Sequence, residues 1–282
     1  MTGTEPVTGT EPGAGAGLPP LPSLGGLPPL PTLGPVGRRP PPAGARRVWQ
    51  QSRVVGLHDE TARARTFRLE VPSGEAHVPG QHYVVRVTAD DGSSASRSYS
   101  VASAPEPGHR TGTPTVVELT VERIADGSVS PYLHDEVRVG DEVEVRGPFG
   151  GWFVWRGDTP VLLVGGGSGV VPLMSMLRHW RLTGQRVPLR LAVSVREPGD
   201  LFYAGEYGPE TTVAYTRQAP DGDPRPVGRL DAATLAPLVA AVGTGATAYV
   251  CGSAGFAEAA SQLLVQVGMD AGMVRVERFG PS

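Results

Sequence analysis

The chain has 282 residues but a single cysteine, Cys251, which excludes an internal disulfide and any four-cysteine iron–sulfur or zinc site. Histidine is also sparse. The six histidines form neither an H-x-x-x-H pair nor a cluster with carboxylates, so no metal site is expected. No apolar run approaches the ~18 residues of a membrane span. The formal net charge is only −3, so no global field draws the protein toward nucleic acid or an anionic membrane surface. The N-terminus has no basic stretch leading into an apolar core, and a cytoplasmic location is the expectation.

Proline and glycine crowd the first 45 residues, where Leu18-Pro-Pro-Leu-Pro22 recurs as Leu27-Pro-Pro-Leu-Pro31. Such composition cannot build a core, so residues 1–45 are expected to be a disordered tail with polyproline II character. The P-x-x-P at Pro19 and Pro22 also suits docking into an aromatic groove. The remaining length accommodates two domains of ordinary size.

Residues 46–156 read as short strands: Trp49 to Leu57, Arg63 to Val71, Gln81 to Thr88, Arg97 to Ala102, Val116 to Arg123 and Glu142 to Arg146. Several alternate apolar and polar residues, as strands with one buried face do, and glycine-containing turns at Asp90-Asp-Gly92 and Ala125-Asp-Gly127 separate them. A six-stranded antiparallel barrel is predicted. A short helix opens at Ser130-Pro131, with the serine as N-cap and the proline at the first helical position. In residues 157–282, strands at Pro160 to Val164, Pro188 to Val195, Thr212 to Tyr215, Ala246 to Cys251 and Val274 to Phe279 alternate with helices at Val171 to Thr183, Ala232 to Val242 and Ala254 to Val267. This rhythm predicts an α/β domain with a parallel sheet, whose ligands bind beyond the carboxyl ends of the strands.

One such end is rich in glycine. Val161-Leu-Leu-Val164 runs into Gly165, Gly166, Gly167, Ser168 and Gly169, followed by Pro172. Backbone N–H groups there can approach an anion closely, with the positive end of a helix dipole behind them. The common dinucleotide fingerprint fails at Val170, while Gly167-x-Gly169-x-x-Pro172 has a related spacing ending in proline. A second site is Arg97-Ser98-Tyr99-Ser100. Arg97 and Tyr99 share one face of a strand, where a guanidinium can hold a pyrophosphate and a ring can pack on a flat ligand. For coenzyme choice, Ser194-Val-Arg-Glu197 offers both an arginine for a 2′-phosphate and an acid for a ribose hydroxyl. Arg196, supported by Arg217 and by Tyr203, leans toward NADPH, with NADH served by Glu197 and Asp200.

These motifs resemble, in order, those of the ferredoxin-NADP reductase family: Pro79-Gly-Gln81, Arg97-x-Tyr99-Ser100, Gly127-x-x-Ser130, Gly147-Pro-Phe-Gly150, Gly165 to Pro172, Cys251-Gly252 and Glu277-x-Phe279. The resemblance covers Trp49 to Phe279 and implies a Greek-key FAD-binding barrel followed by a nicotinamide-nucleotide domain. It implies that Arg97 holds the flavin pyrophosphate, with Ser98 and Tyr99 beside the cofactor and Ser100 near its reactive ring nitrogen. Gly127, Val129 and Ser130 would form a second clamp at the short helix. Gly165 to Gly169 would hold the coenzyme pyrophosphate, Cys251 and Gly252 would lie under the nicotinamide, and Glu277 and Phe279 would shape that site. Ser100, Cys251 and Glu277 are the implied catalytic residues, tuning the site without covalent intermediates. Hydride would pass from NAD(P)H to FAD, and electrons would leave to an external carrier, a ferredoxin, a cytochrome or an oxygenase component, since no cysteines remain for an iron–sulfur cluster. A diffusible acceptor such as free flavin or a quinone, and a non-catalytic FAD-holding subunit, are the competing readings.

Overall fold

The computed structural model of the chain describes residues 48–88, 92–184 and 186–279, together with Met1 and Gly3. Apart from those two, the expected tail of 1–45 lies outside the described residues, as do the turn residues Asp90 and Asp91 and Gly280 to Ser282. Two sheets share one compact unit, Arg47–Ser282.

The first sheet holds β1 (Gln50–Thr61), β2 (Ala64–Gly74), β3 (His82–Thr88), β4 (Ser94–Ser100), β5 (Thr113–Glu122) and β6 (Glu142–Phe149), in the order β4-β3-β6-β1-β2-β5. Its neighbouring strands pair antiparallel. Alternation in β2 turns Phe67, Leu69 and Val71 into a core shared with Val117, Leu119 and Val121 of β5, while Arg68 and Glu70 face water. The predicted barrel is barrel-like but not closed: its two edge strands meet at a single isolated bridge, Val101 to Leu119. Beyond Ser100 the chain leaves β4: Val101 N–H donates to Gln81 O, and Ala102 N–H donates to Glu118 O of β5 as part of that bridge. The short helix α1 (Ser130–Asp135) follows β5.

The second sheet is parallel, with β7 (Val161–Gly166), β8 (Leu189–Val195), β9 (Thr211–Tyr215), β10 (Thr247–Ser253) and β11 (Val274–Phe279) in the order β11-β10-β7-β8-β9. Strand order reverses between β7 and β10, which opens the crevice where such sheets take ligands. Helix α2 (Val170–Leu182) follows β7, and its residues share a cluster with Leu163, Leu191 and Tyr249 on one face of the sheet. Helices α3 (Ala232–Val242) and α4 (Ala254–Gln266) cover the other, packing Leu235 and Leu264 against Leu162, Val164 and Val250. Both faces are thus buried, as the nearly unbroken apolar strands require. Residues Val170 to Leu177 of α2 are buried all round. The cluster on its face also takes in Ala64 of β2 and Ala102 beyond β4, so the first two turns of α2 are covered from two sides and are almost wholly apolar. Among the described residues, no helix is long and apolar enough to cross a membrane.

Candidate functional site

The first half of the site lies on β4. Register pairs Arg97 with Val85 and Tyr99 with Tyr83, so Arg97 and Tyr99 do project to one face. Tyr99 is half-buried against the core of the first sheet, and burial raises its phenol pKa, which leaves a neutral flat ring. Arg97 is exposed and donates from Nη1 to the carbonyl of its neighbour Ser96 at 2.9 Å. Ser98 is exposed, whereas Ser100 is buried opposite His82. Because β4 is an edge strand, Arg97, Tyr99 and Ser100 all belong to the strand at the open seam, Arg97 and Tyr99 on one of its faces and Ser100 on the other.

Near that seam, the loop before α1 departs from expectation. Val129, not Ser130, occupies the N-cap position, and no side chain caps the helix. Ser130 is instead buried, with its Oγ accepting from Ile124 N–H at 3.0 Å, while Gly127 N–H donates to Ile124 O at 3.0 Å. A serine hydroxyl has acceptor capacity for the loop and one donor left over. Its first job here is to close the turn.

The second half lies at the carboxyl edge of the parallel sheet. Gly165, Cys251 and Glu277 stand side by side in register on β7, β10 and β11. Gly167, Ser168 and Gly169 form a 3-10 turn that leads into α2, whose N-cap is Gly169. Pro172 therefore sits at the third helical position, within the first turn, whose N–H groups have no intrahelical partner. The glycines have two distinct jobs. Gly167, at φ +55° with open space where a side chain would be, leaves its backbone accessible. Gly169 and Gly166 are there for contact: a Cβ on Gly169 would lie 2.2 Å from the Cys251 carbonyl oxygen, and one on Gly166 would lie 2.6 Å from the Phe256 ring. Gly252 also presses on Phe256, at 2.7 Å from a notional Cβ. The two loops flanking the crevice are thus fastened together over a phenylalanine that sequence reasoning did not single out.

Electrostatics distinguish the same place. Burial pushes the Glu277 carboxyl up to about 7, and its Oε2 is buried without a hydrogen-bond partner. Burial, and then the neighbouring Glu277, hold the Cys251 thiol well above its usual range. Cys251 is therefore a neutral thiol, and Glu277 is a carboxyl balanced between its two protonation states. Phe279 pairs with Ser253 in register and packs against the α2-side core.

The residues expected to select the coenzyme are only partly brought together. Arg196 is exposed just past β8, and its carbonyl accepts from the N–H groups of Arg217 and Gln218 at 2.9 and 3.1 Å, which brings Arg217 alongside. Tyr203 does not join them. It is buried, with its hydroxyl donating to Thr120 Oγ1 of β5 at 2.5 Å. Asp200 is held by Arg63 at 3.2 Å, which leaves Glu197 as the exposed acid of that loop. The residues present fit the two dinucleotides: an open backbone turn at a helix N-terminus, an exposed arginine beside a neutral ring, and an orphaned buried carboxyl oxygen facing neither water nor partner.

Residues 52–154 match the family of oxidoreductase FAD-binding domains, and residues 163–262 match that of oxidoreductase NAD-binding domains. The chain is 36% identical over 159 residues to the reductase subunit of glycine betaine monooxygenase from Chromohalobacter salexigens, covering 55% of this chain and 41% of that protein. It is 29% identical over 242 residues to the ferredoxin reductase component of 3-ketosteroid-9-alpha-monooxygenase from Mycobacterium tuberculosis, covering 80% of this chain and 64% of that one. The chain spans about two fifths to two thirds of the length of these curated relatives. Among solved structures, a cytochrome P450 reductase from Amycolatopsis superposes with a TM-score of 0.67 at 26% identity, covering 83% of this chain and 70% of that one. The FAD/NAD-binding domain of nitric oxide dioxygenase from Vibrio cholerae shares the fold at a TM-score of 0.71 and 24% identity, covering 84% of this chain and 100% of that one.

Proposed function

Because the chain belongs to the ferredoxin-NADP reductase-like family, with an FAD-binding domain followed by an NAD(P)-binding domain, we propose that it is an NAD(P)H-dependent flavoprotein reductase serving a separate electron acceptor. The observation that carries this reading is the row Gly165, Cys251 and Glu277 across three adjacent strands, beside an open glycine turn. When bound, the nicotinamide and FAD would supply the redox chemistry, a two-electron hydride donor and a flavin able to pass electrons singly to the acceptor.

The protein's own contribution is placement. Residues 46–156 form the flavin domain in this proposal, with Arg97 neutralising the pyrophosphate, Ser98 and Tyr99 beside the cofactor and Ser100 donating toward its reactive edge. Gly127, Val129 and Ser130 supply the second phosphate contact. Residues 157–282 form the coenzyme domain. There the backbone N–H groups of Gly165 to Gly169 receive the coenzyme pyrophosphate, and Cys251 and Gly252 offer a flat, uncharged floor. Glu277 holds a proton at its carboxyl near neutral pH, and Phe279 screens the crevice from water. Arg196, with Arg217 alongside, favours NADPH. The acceptor is a ferredoxin, a cytochrome or an oxygenase component, as the names of the relatives suggest, and the setting is cytoplasmic.

Stopped-flow mixing of the FAD-loaded protein with NADPH or NADH tests this. Rapid bleaching followed by reoxidation on adding a ferredoxin or cytochrome is expected. No bleaching with either coenzyme would leave a non-catalytic FAD-holding subunit, and reoxidation only by free flavin or a quinone would replace the protein acceptor with a diffusible one.

A further inference from the structure

The face of α2 turned toward the first sheet carries a buried serine, Ser175, and a partly buried arginine, Arg178, whose partners lie on β5 and on the segment that follows β4. Ser175, fully buried, donates from Oγ to the Ser103 carbonyl at 2.7 Å. One turn further, Arg178 donates from Nη1 to the Ala102 carbonyl at 3.0 Å and to Glu118 Oε2 at 2.8 Å. The rest of its guanidinium is engaged by Glu206, with Nε to Oε2 at 2.9 Å, and lies 5.1 Å from the centroid of the Tyr203 ring. Burial works against the charge of Arg178, but the two glutamates more than offset it and hold its pKa above the ordinary value.

The receiving segment is itself anchored. Ala102 N–H donates to Glu118 O at 2.8 Å, Glu118 N–H to Ser103 Oγ at 3.1 Å, and His77 Nε2, a donor because its partner is a carbonyl, meets Ser103 O at 3.0 Å. Tyr203 pins the other side. In the left-handed region at φ 56°, it donates its hydroxyl to Thr120 and its N–H to Glu60 Oε2 at 3.1 Å.

Ala102 and Ser103 are the second and third residues past Ser100, the last residue of the strand that carries Arg97 and Tyr99. Ser175 and Arg178 are six and nine residues after Gly169, about 9 and 13 Å along the same helix. One rigid helix thus has the open glycine turn at its start, and its flank is bonded to the continuation of the strand bearing Tyr99. We propose that Ser175 and Arg178 are positioning residues that set the separation and tilt of the coenzyme turn relative to the flavin strand. This rests on the reductase reading above. Neither side chain needs to touch a cofactor, so their removal acts on the approach of the two rings and not on the affinity for either dinucleotide. Misplacement by ~1 Å can lower a rate ~100-fold.

The test uses FAD-loaded full-length protein with Ser175→Ala and Arg178→Lys. Ser175→Ala is the milder variant, because His77 still occupies the Ser103 carbonyl. Stopped-flow flavin reduction across NAD(P)H concentrations yields a limiting rate and a coenzyme Kd, and long-wavelength charge-transfer absorbance reports stacking of the two rings. The limiting rate should fall by ~10-fold or more in Arg178→Lys and several-fold in Ser175→Ala. The charge-transfer band should weaken, with FAD content and coenzyme Kd held within about two-fold of wild type. Limiting rates and band intensities equal to wild type in both variants would overturn the positioning role while leaving the reductase reading intact. Loss of FAD or of coenzyme affinity in parallel with rate would overturn it too, by revealing general loosening. A wild-type protein that neither coenzyme reduces would overturn the reductase reading and this role together.

Discussion

Replacing Glu277 by glutamine should change how stability depends on pH, because the buried carboxyl prefers its neutral form. Desolvation moves it from an ordinary 4.5 to about 7, and its Oε2 has no hydrogen-bond partner. The folded state therefore binds this proton more tightly than the unfolded chain does. The resulting stabilisation is fully present below pH 4.5 and is lost as pH rises through about 7. At ~1.4 kcal/mol per pH unit, the whole effect is on the order of 3 kcal/mol, of which about 2.5 kcal/mol falls between roughly pH 5 and pH 8.5. Glu277→Gln cannot ionise, so the wild type should lose about 2.5 kcal/mol relative to the variant across that interval. Urea denaturation of both FAD-loaded proteins at the two pH values measures it. A wild-type-minus-variant difference that is the same at both would show that the carboxyl titrates as an ordinary solvated glutamate, and would remove the argument that Glu277 holds a proton near neutrality.

The two glycine roles predict opposite severities. Gly169→Ala drives a Cβ to 2.2 Å from a backbone carbonyl and should cost about 3 kcal/mol or more along with most coenzyme binding, measured by denaturation and by coenzyme titration. Gly167→Ala meets open space at φ +55° and should cost only about 1–2 kcal/mol of backbone strain; equal losses would refute the distinction. Arg196→Ala should raise the KM for NADPH much more than that for NADH, and an equal change in both, or none, removes Arg196 from coenzyme selection. Cys251, buried and with its thiol pKa well raised, should resist iodoacetamide at pH 8 in the native protein and react once it is unfolded, as followed by mass spectrometry; rapid native labelling would contradict the neutral, covered thiol.

Local pattern carries far in this chain. Alternation in Thr66 to Val71 and in Val117 to Glu122 marks strands of one exposed and one buried face, and the apolar runs ending in Gly165 and Cys251 mark strands of a covered parallel sheet. Element ends drifted where a cap depends on contact: Ser130 has the chemistry of an N-cap, but its hydroxyl is drawn to Ile124 N–H. Tyr203 reads as a polar aromatic near Arg196, yet it turns away because Thr120 and Glu60 offer its hydroxyl and N–H buried partners.

Sequence by itself determined what depends on neighbours a few residues apart: strand and helix periods, the glycine turn before α2, the pairing of Arg97 with Tyr99 on one face, and the motif order that marks the family. Tertiary structure alone decided what depends on partners distant in the chain. Register set Gly165, Cys251 and Glu277 in one row. Packing placed Phe256 beneath Gly166 and Gly252, and raised the Glu277 pKa by burial. Arg178 and Ala102, 76 residues apart, meet only when α2 docks on the segment that follows β4. No local period encodes such a meeting, since it arises from burying two separately formed surfaces against each other.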